Sequence, residues 1–302
     1  MTASLTQAAI KPQTCPMMAA AGLGTDYLYA FGIVRPIFPS KDVEERFKAV
    51  AKQRKVQYND FYDILTWKQS PSDTQPDYDL ASSLCWLLEI DDEPLYYLKP
   101  RSWVEMQALI ETQKDKDKSQ LYSLVIGTRG PLSPPQLCHG LELPMVWITK
   151  LYYGHLKELI SYLVSQMEKI LKSQDLLSDN DALMTVVSDL INDLSFPPNR
   201  GESDRDRALN YLVFANVDMY IKYYDMVGIK STHGQPSASS SLMDSFYLLR
   251  VKTESSSDKR VVDVIFVYQK RITDEQQAFY CSVDVTGQFP FVKTPLRPYT
   301  IS

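Results

Sequence analysis

The chain has no apolar run approaching the roughly 20 residues that a membrane-spanning helix needs, and its start lacks the charged-then-apolar pattern of a secretory signal. A cytoplasmic protein is therefore expected. It has no long basic run, and its 32 Lys and Arg are outnumbered by 37 Asp and Glu. A nucleic-acid partner, held through phosphate neutralisation, is accordingly disfavoured. Histidine is scarce: His139, His155 and His233 are all there is. Cysteine is scarce too, and Cys15, Cys85, Cys138 and Cys281 are widely separated with no C-x-x-C among them. In a chain this long, that spacing argues against a disulfide framework, and reduced thiols are expected.

What is present suffices for a large core. The 302 residues are 44% hydrophobic with a formal net charge of −5, which suits one large domain or two tightly packed ones. Residues 1–24, rich in Thr, Ala, Ser, Gln, Pro and Gly, have little periodicity and read as a flexible lead-in. The remainder, 25–302, reads as one α+β domain: a mixed or antiparallel sheet, a central group of amphipathic helices and a C-terminal β-meander.

The element pattern supports this. Asp26 to Val34 is aromatic and β-rich, and Ser40 is placed to cap a helix through Val43, Phe47 and Val50. A short helix is expected from Asn59 to Trp67, then a surface loop from Lys68 to Asp79. Cys85 to Lys99 reads as a β-hairpin about an Asp91-Asp92-Glu93-Pro94 turn, and Ser102 with Glu105 forms a capping-box pattern. Lys150 to Leu171 carries the stripe of a long helix. A second helix starts at Ser178 or Asp179, and Gly201 to Val227 reads as a third, capped by Ser203 or Asp204. Gly228 to Ser241 is a loop by composition. Phe246 to Val251, Val261 to Tyr268 and Ala278 to Val285 then return to β, with an extended tail after them. Val262, Val264, Phe266 and Tyr268 would share one face, with Asp263, Ile265 and Val267 on the other. Both faces look covered, so the meander is expected to join the earlier strands in one sheet.

The most unusual stretch is Leu121 to Thr149. An apolar β-rich run, Leu121 to Ile126, meets Gly127 and Gly130, which bracket Thr128 and Arg129 and predict a turn. Pro131, Pro134 and Pro135 each restrict φ and remove an N–H donor, so a rigid, extended loop is expected. Cys138, His139 and Gly140 follow, and Leu143 to Ile148 resumes the β pattern with Pro144 suited to a strand entry.

Three residues here are candidate site residues. Thiolate and imidazole suit zinc, so Cys138 and His139 could form half of a metal site completed by Cys15, Cys85 or Cys281. Because the spacing is uninformative, a buried structural cysteine is the preferred reading of Cys138. Arg129 could hold a peptide carboxylate through two hydrogen bonds, or pair with a nearby acid or with carbonyls of its own loop. The 19 Tyr and 4 Trp suit a recognition surface, though in amphipathic stretches they are more often core.

Six segments carry a resemblance: Tyr27-Leu-Tyr-Ala-Phe-Gly, Gly127-Thr-Arg-Gly-Pro, Pro134-Pro-Gln-Leu-Cys-His-Gly, Arg207-Ala-Leu-Asn-Tyr-Leu, Val261-Val-Asp-Val-Ile-Phe and Val283-Asp-Val-Thr-Gly-Gln-Phe-Pro-Phe. Together and in order they resemble the PatG C-terminal domain family, from about Tyr27 onward. Domains of this family end the subtilisin-like proteases PatA and PatG of cyanobactin biosynthesis, which cut and macrocyclise ribosomal precursor peptides. The resemblance implies that pathway as context, and implies no protease activity, because no HGTH-like or GTSM-like segment occurs here. The family itself has no assigned reaction.

Two functions are compatible with these readings. The first is a non-catalytic module binding precursor peptide or partner enzymes, without a cofactor and open to homodimer formation. The second is a peptide-modifying enzyme using Cys138 and His139, with zinc. The first accords better with the lack of a complete catalytic constellation in the sequence.

Overall fold

The computed structural model describes residues 27–67, 76–115, 117, 120–175, 179–195, 199–227, 245–255 and 260–301. The expected lead-in, Cys15, His233, the helix start at Ser178 and the whole Gly228 to Ser241 loop lie outside the described residues.

Five strands make the first layer: β1 (Tyr27–Ile37), β2 (Cys85–Ile90), β3 (Glu93–Lys99), β4 (Leu121–Leu132) and β5 (Pro144–His155). They close into a barrel in the order β1-β2-β3-β5-β4. Closure depends on β1 serving two partners. Its first half, Tyr27 to Gly32, pairs with β4, and its second half, Ile33 to Ile37, pairs with β2. β3 and β5 run parallel and every other pair is antiparallel. With α4 (Trp103–Glu111) between β3 and β4, this is the topology of the OB-fold, a small Greek-key barrel.

Strand alternation explains the filling. Leu28, Val34, Trp86, Leu88, Tyr96, Leu98, Val125, Val146 and Ile148 belong to one buried cluster, as expected when successive side chains alternate between barrel interior and exterior. Met106, Leu109 and Ile110 of α4 join it, as do side chains of α1 (Lys41–Arg54), α2 (Phe61–Leu65) and α3 (Tyr78–Ser82). The caps form as the sequence predicts: Val43 N–H donates to Ser40 Oγ (3.4 Å) and Val104 N–H to Ser102 Oγ (3.2 Å). The short helix after Asn59 is α2, capped by Asp60.

The second layer holds α5 (Leu156–Ser173), α6 (Asn180–Ser195), α7 (Asp204–Ala215) and α8 (Val217–Val227) against an antiparallel meander of β6 (Phe246–Ser255), β7 (Val261–Lys270), β8 (Gln276–Asp284) and β9 (Phe291–Tyr299). As the alternation predicts, Val262, Val264, Phe266 and Tyr268 face the helices. Ile265 and Val267 lie in a separate small cluster on the other face, with Ala278, Leu249, Tyr280 and Tyr299. Asp263 accepts a hydrogen bond from Ser282 Oγ at 2.6 Å.

Several expectations are corrected. The meander does not join the earlier strands; the two sheets are separate. No turn forms at Gly127 to Gly130, because β4 runs on to Leu132 and these glycines serve close approach instead. A Cβ at Gly130 would lie 2.1 Å from the Trp147 ring. Lys150 to His155 is strand rather than helix, since it completes the ladder with Leu121 to Ile126. The segment from Gly201 is two helices, split where Asn216 leaves helical geometry and accepts from Met219 N–H (3.2 Å). The tail after Val285 is a fourth meander strand, β9.

The helix α7 joins the layers. Asn210 Nδ2 donates to the Tyr29 carbonyl (2.8 Å), and Tyr29 N–H to the Gly201 carbonyl (2.9 Å). On the same barrel wall, Tyr211 packs edge-on to Tyr29, and Phe214 packs against Phe31, Tyr122 and Tyr152. From the same helix, Arg207 Nη1 donates to the Val285 carbonyl (2.7 Å) beyond β8.

Candidate functional site

The stretch that stands out in the sequence becomes the β4–β5 loop, residues 133–143, at one rim of the barrel. Its base is closed by Ser133: its N–H donates to the Leu143 carbonyl (2.7 Å), its hydroxyl donates to the Leu141 carbonyl (2.9 Å) and accepts from Leu143 N–H (3.0 Å). Within it, Leu137, Gly140 and Leu141 donate back to the carbonyls of Pro134, Pro135 and Cys138. The loop is thus a series of turns, not the extended segment expected from its prolines. His139 and Gly140 both have positive φ, 54° and 88°.

Cys138 forms a disulfide with Cys85, the first residue of β2, with Cα atoms 5.5 Å apart. This corrects the expectation of reduced thiols. A disulfide sulfur offers no thiolate, so Cys138 and His139 do not provide half a zinc site in this form. His139 lies exposed on the loop. Cys281, a proposed partner, is buried in the second layer with its thiol pushed up to about 12 by burial first and the Asp263 charge second. Among the described residues no group of three or more His, Cys, Asp or Glu is arranged to hold a metal. The pairing had no signal in the sequence: Cys85 and Cys138 are 53 residues apart, and the fold of the loop brings them together.

Arg129 lies on β4 beside the loop. It meets an acid 73 positions later in the chain: its Nη1 is 3.0 Å from Glu202 Oε2, just before α7. Its Nε–H is buried without a hydrogen-bond partner among the described residues. The Tyr96 hydroxyl approaches the same place, donating to the Arg200 carbonyl (3.0 Å) and lying 3.4 Å from Glu202 Oε2. Burial, and then the Glu202 charge, holds that phenol well above its ordinary pKa, so it remains a neutral donor. Around them lie Arg101, whose Nη2 is 3.4 Å from Thr128 Oγ1, and Lys99, whose ammonium stands 5.1 Å from the Tyr97 ring centre. Trp147 is half-buried over Gly130, while Trp103, Leu132 and Leu137 are exposed. This rim offers cations and aromatic faces together, the equipment for a carboxylate or a peptide chain.

A second feature escaped the sequence. His155, at the start of α5, has Nε2 2.7 Å from Asp115 Oδ2, in a cleft of about 640 Å³ lined also by Glu111, Tyr122, Tyr153 and Glu158. Asp115 precedes β4 and His155 ends β5, and the antiparallel register that sets Leu121 opposite His155 brings both to one end of the pair, so spacing gave no cue.

Compared with known families, the chain matches PatG Domain over residues 27–192 and PatG C-terminal over residues 178–299. A comparison with curated proteins finds no match. Among solved structures, a protein described as "PatG Domain of Unknown Function" superposes with a TM-score of 0.64 at 16% identity, covering 92% of this chain and 100% of that one. At that identity the likeness speaks to the fold alone.

Proposed function

The chain belongs to the PatG domain family, and from that premise we propose that it is a non-catalytic module of cyanobactin biosynthesis that binds a precursor peptide or a partner enzyme, without a cofactor. The observation that carries this reading is the barrel rim. OB-type barrels bind extended polymers through the face of strands 2 and 3 and the loops β1–β2 and β4–β5; here the β4–β5 loop is preshaped and flanked by Arg129, Arg101, Lys99 and Trp147. Arg129 carries a buried Nε–H with no hydrogen-bond partner among the described residues, beside a partly exposed ion pair. A loop shaped before its ligand arrives loses little further entropy on binding.

The enzyme reading would need Cys138 as a free thiolate, and in the oxidised protein its sulfur is bonded to Cys85. Titration of the protein with precursor peptide, read by calorimetry, tests the binding reading. Arg129→Ala is expected to weaken binding by about 1.5–3 kcal/mol, the range for a charge-assisted hydrogen bond. Its melting temperature should change little, because a partly exposed ion pair contributes at most about 1 kcal/mol. A large fall in melting temperature with unchanged affinity would make Arg129 a structural strut. A mass change of the peptide on incubation would instead revive the enzyme.

A further inference from the structure

The β4–β5 loop covers a face that the fold would otherwise leave open. Outward-facing side chains of β2 and β3, Cys85, Leu87 and Tyr97, are all buried. They form a small cluster of their own with Cys138, packed by Ile37, Leu141, Leu143 and Met145. Apart from Ile37 and Met145, which lie on neighbouring strands, the cover is the loop itself, residues Cys138 to Leu143. The loop's own hydrogen bonds run within it and to its base; what ties its tip to β2 is the disulfide. The barrel does not need that tie. β4 and β5 are aligned by their own ladder from Leu121–His155 to Leu132–Pro144, and β2 is held by β1 and β3.

The geometry points to Cys85–Cys138 as a reversible redox latch: oxidised, it holds loop 133–143 over the outer face of β2 and β3; reduced by a dithiol, it releases the loop and uncovers Leu87 and Tyr97. The exchange is balanced by the dithiol alone. One of its thiolates attacks one sulfur of the pair and expels the other as thiolate; its second thiolate then attacks the mixed disulfide and expels the remaining cysteine. Two electrons pass to the pair, the two protons of the dithiol end on the cysteines, and the reductant leaves as a cyclic disulfide. Both cysteines are fully buried, so attack requires the loop to lift first, and the reduction rate levels off as reductant is raised. The latch stands independently of the peptide-binding reading. If that reading holds, the latch controls part of the same surface.

The test uses the whole chain, oxidised and then reduced with dithiothreitol under native conditions, with hydrogen exchange followed by mass spectrometry. Amides of residues 136–142 should exchange at least about tenfold faster after reduction, while those of β4 and β5 stay protected. Fluorescence of anilinonaphthalenesulfonate should rise, two further cysteines should become alkylatable, and reoxidation should reverse all three. Cys138→Ala should behave as the reduced form without any reductant. The proposal fails if the loop stays protected in both the reduced protein and the variant, if reduction proceeds only with global unfolding, or if mass analysis shows that the pair does not oxidise. Loss of peptide binding in both redox states, with the loop still responding, would sink the binding reading and leave the latch.

Discussion

Arg207 shows how one residue can be structural despite every outward sign of a functional cation. Its side chain is fully buried, its guanidinium donates to the carbonyls of Val285, Gly287 and Gln288, and it stacks 5.5 Å from the Tyr27 ring centre. Burial first, and the Arg260 charge second, lower its pKa to about 10, so it stays charged at neutral pH. Three carbonyls from the segment after β8 therefore converge on one α7 side chain. Arg207→Met keeps most of the volume and removes every donor. It should cost about 2–4 kcal/mol, as expected for losing charge-assisted hydrogen bonds from a buried site, measured by urea unfolding. A loss under about 0.5 kcal/mol, the scale of an ordinary surface substitution, would show that those carbonyls find other donors. Arg129 is the opposite case at the same scale: partly exposed, one ion pair, and so open to a role in binding.

Among the elements, α7 decides how the two layers sit. It enters through Gly201, whose φ is +71° and where a Cβ would stand 2.5 Å from both Ala30 Cβ and the Tyr29 carbonyl oxygen. Neither neighbour can move without shifting β1 in the barrel wall. Gly201→Ala should therefore break the Tyr29–Gly201 hydrogen bond and cost at least about 2 kcal/mol, given about 1–3 kcal/mol for a strained φ alone. Gly287→Ala, where a Cβ meets nothing within 4 Å, is the control and should be close to neutral in the same thermal melts. Equal effects at both positions would mean that α7 does not depend on this contact.

For the whole molecule, the question is whether barrel and helix-sheet layer fold as one unit. The meander supplies Val264, Phe266, Tyr268, Cys281 and Val283 to the cluster that buries α5, α6, α7 and α8, and α7 also packs on β1 and β4. Deleting Phe246 onward would expose that cluster and remove the acceptors of Arg207. The full chain should melt in one transition, and the truncated chain should lose cooperative unfolding. A truncated chain that melts cooperatively near the full-length temperature would establish two independent units despite the shared helix.

Features that depend on neighbours a few residues apart were legible in the sequence. Ser40, Ser102 and Ser203 cap helices because a hydroxyl reaches an N–H two or three positions on, and the alternation along β7 assigns its two faces because a strand turns its side chains over at every residue. Features that required distant segments to meet were settled only in the folded chain. Lys150 to His155 has a helical stripe yet is strand, because Leu121 to Ile126 supplies a ladder for it. Gly127 and Gly130 read as a turn and instead make room for Trp147. Cys138 finds Cys85, and Arg129 finds Glu202, only once barrel closure and the docking of α7 have brought those backbones together. Partners set by closure leave no periodicity in the sequence, since the spacing between them is the length of whatever the chain builds in between.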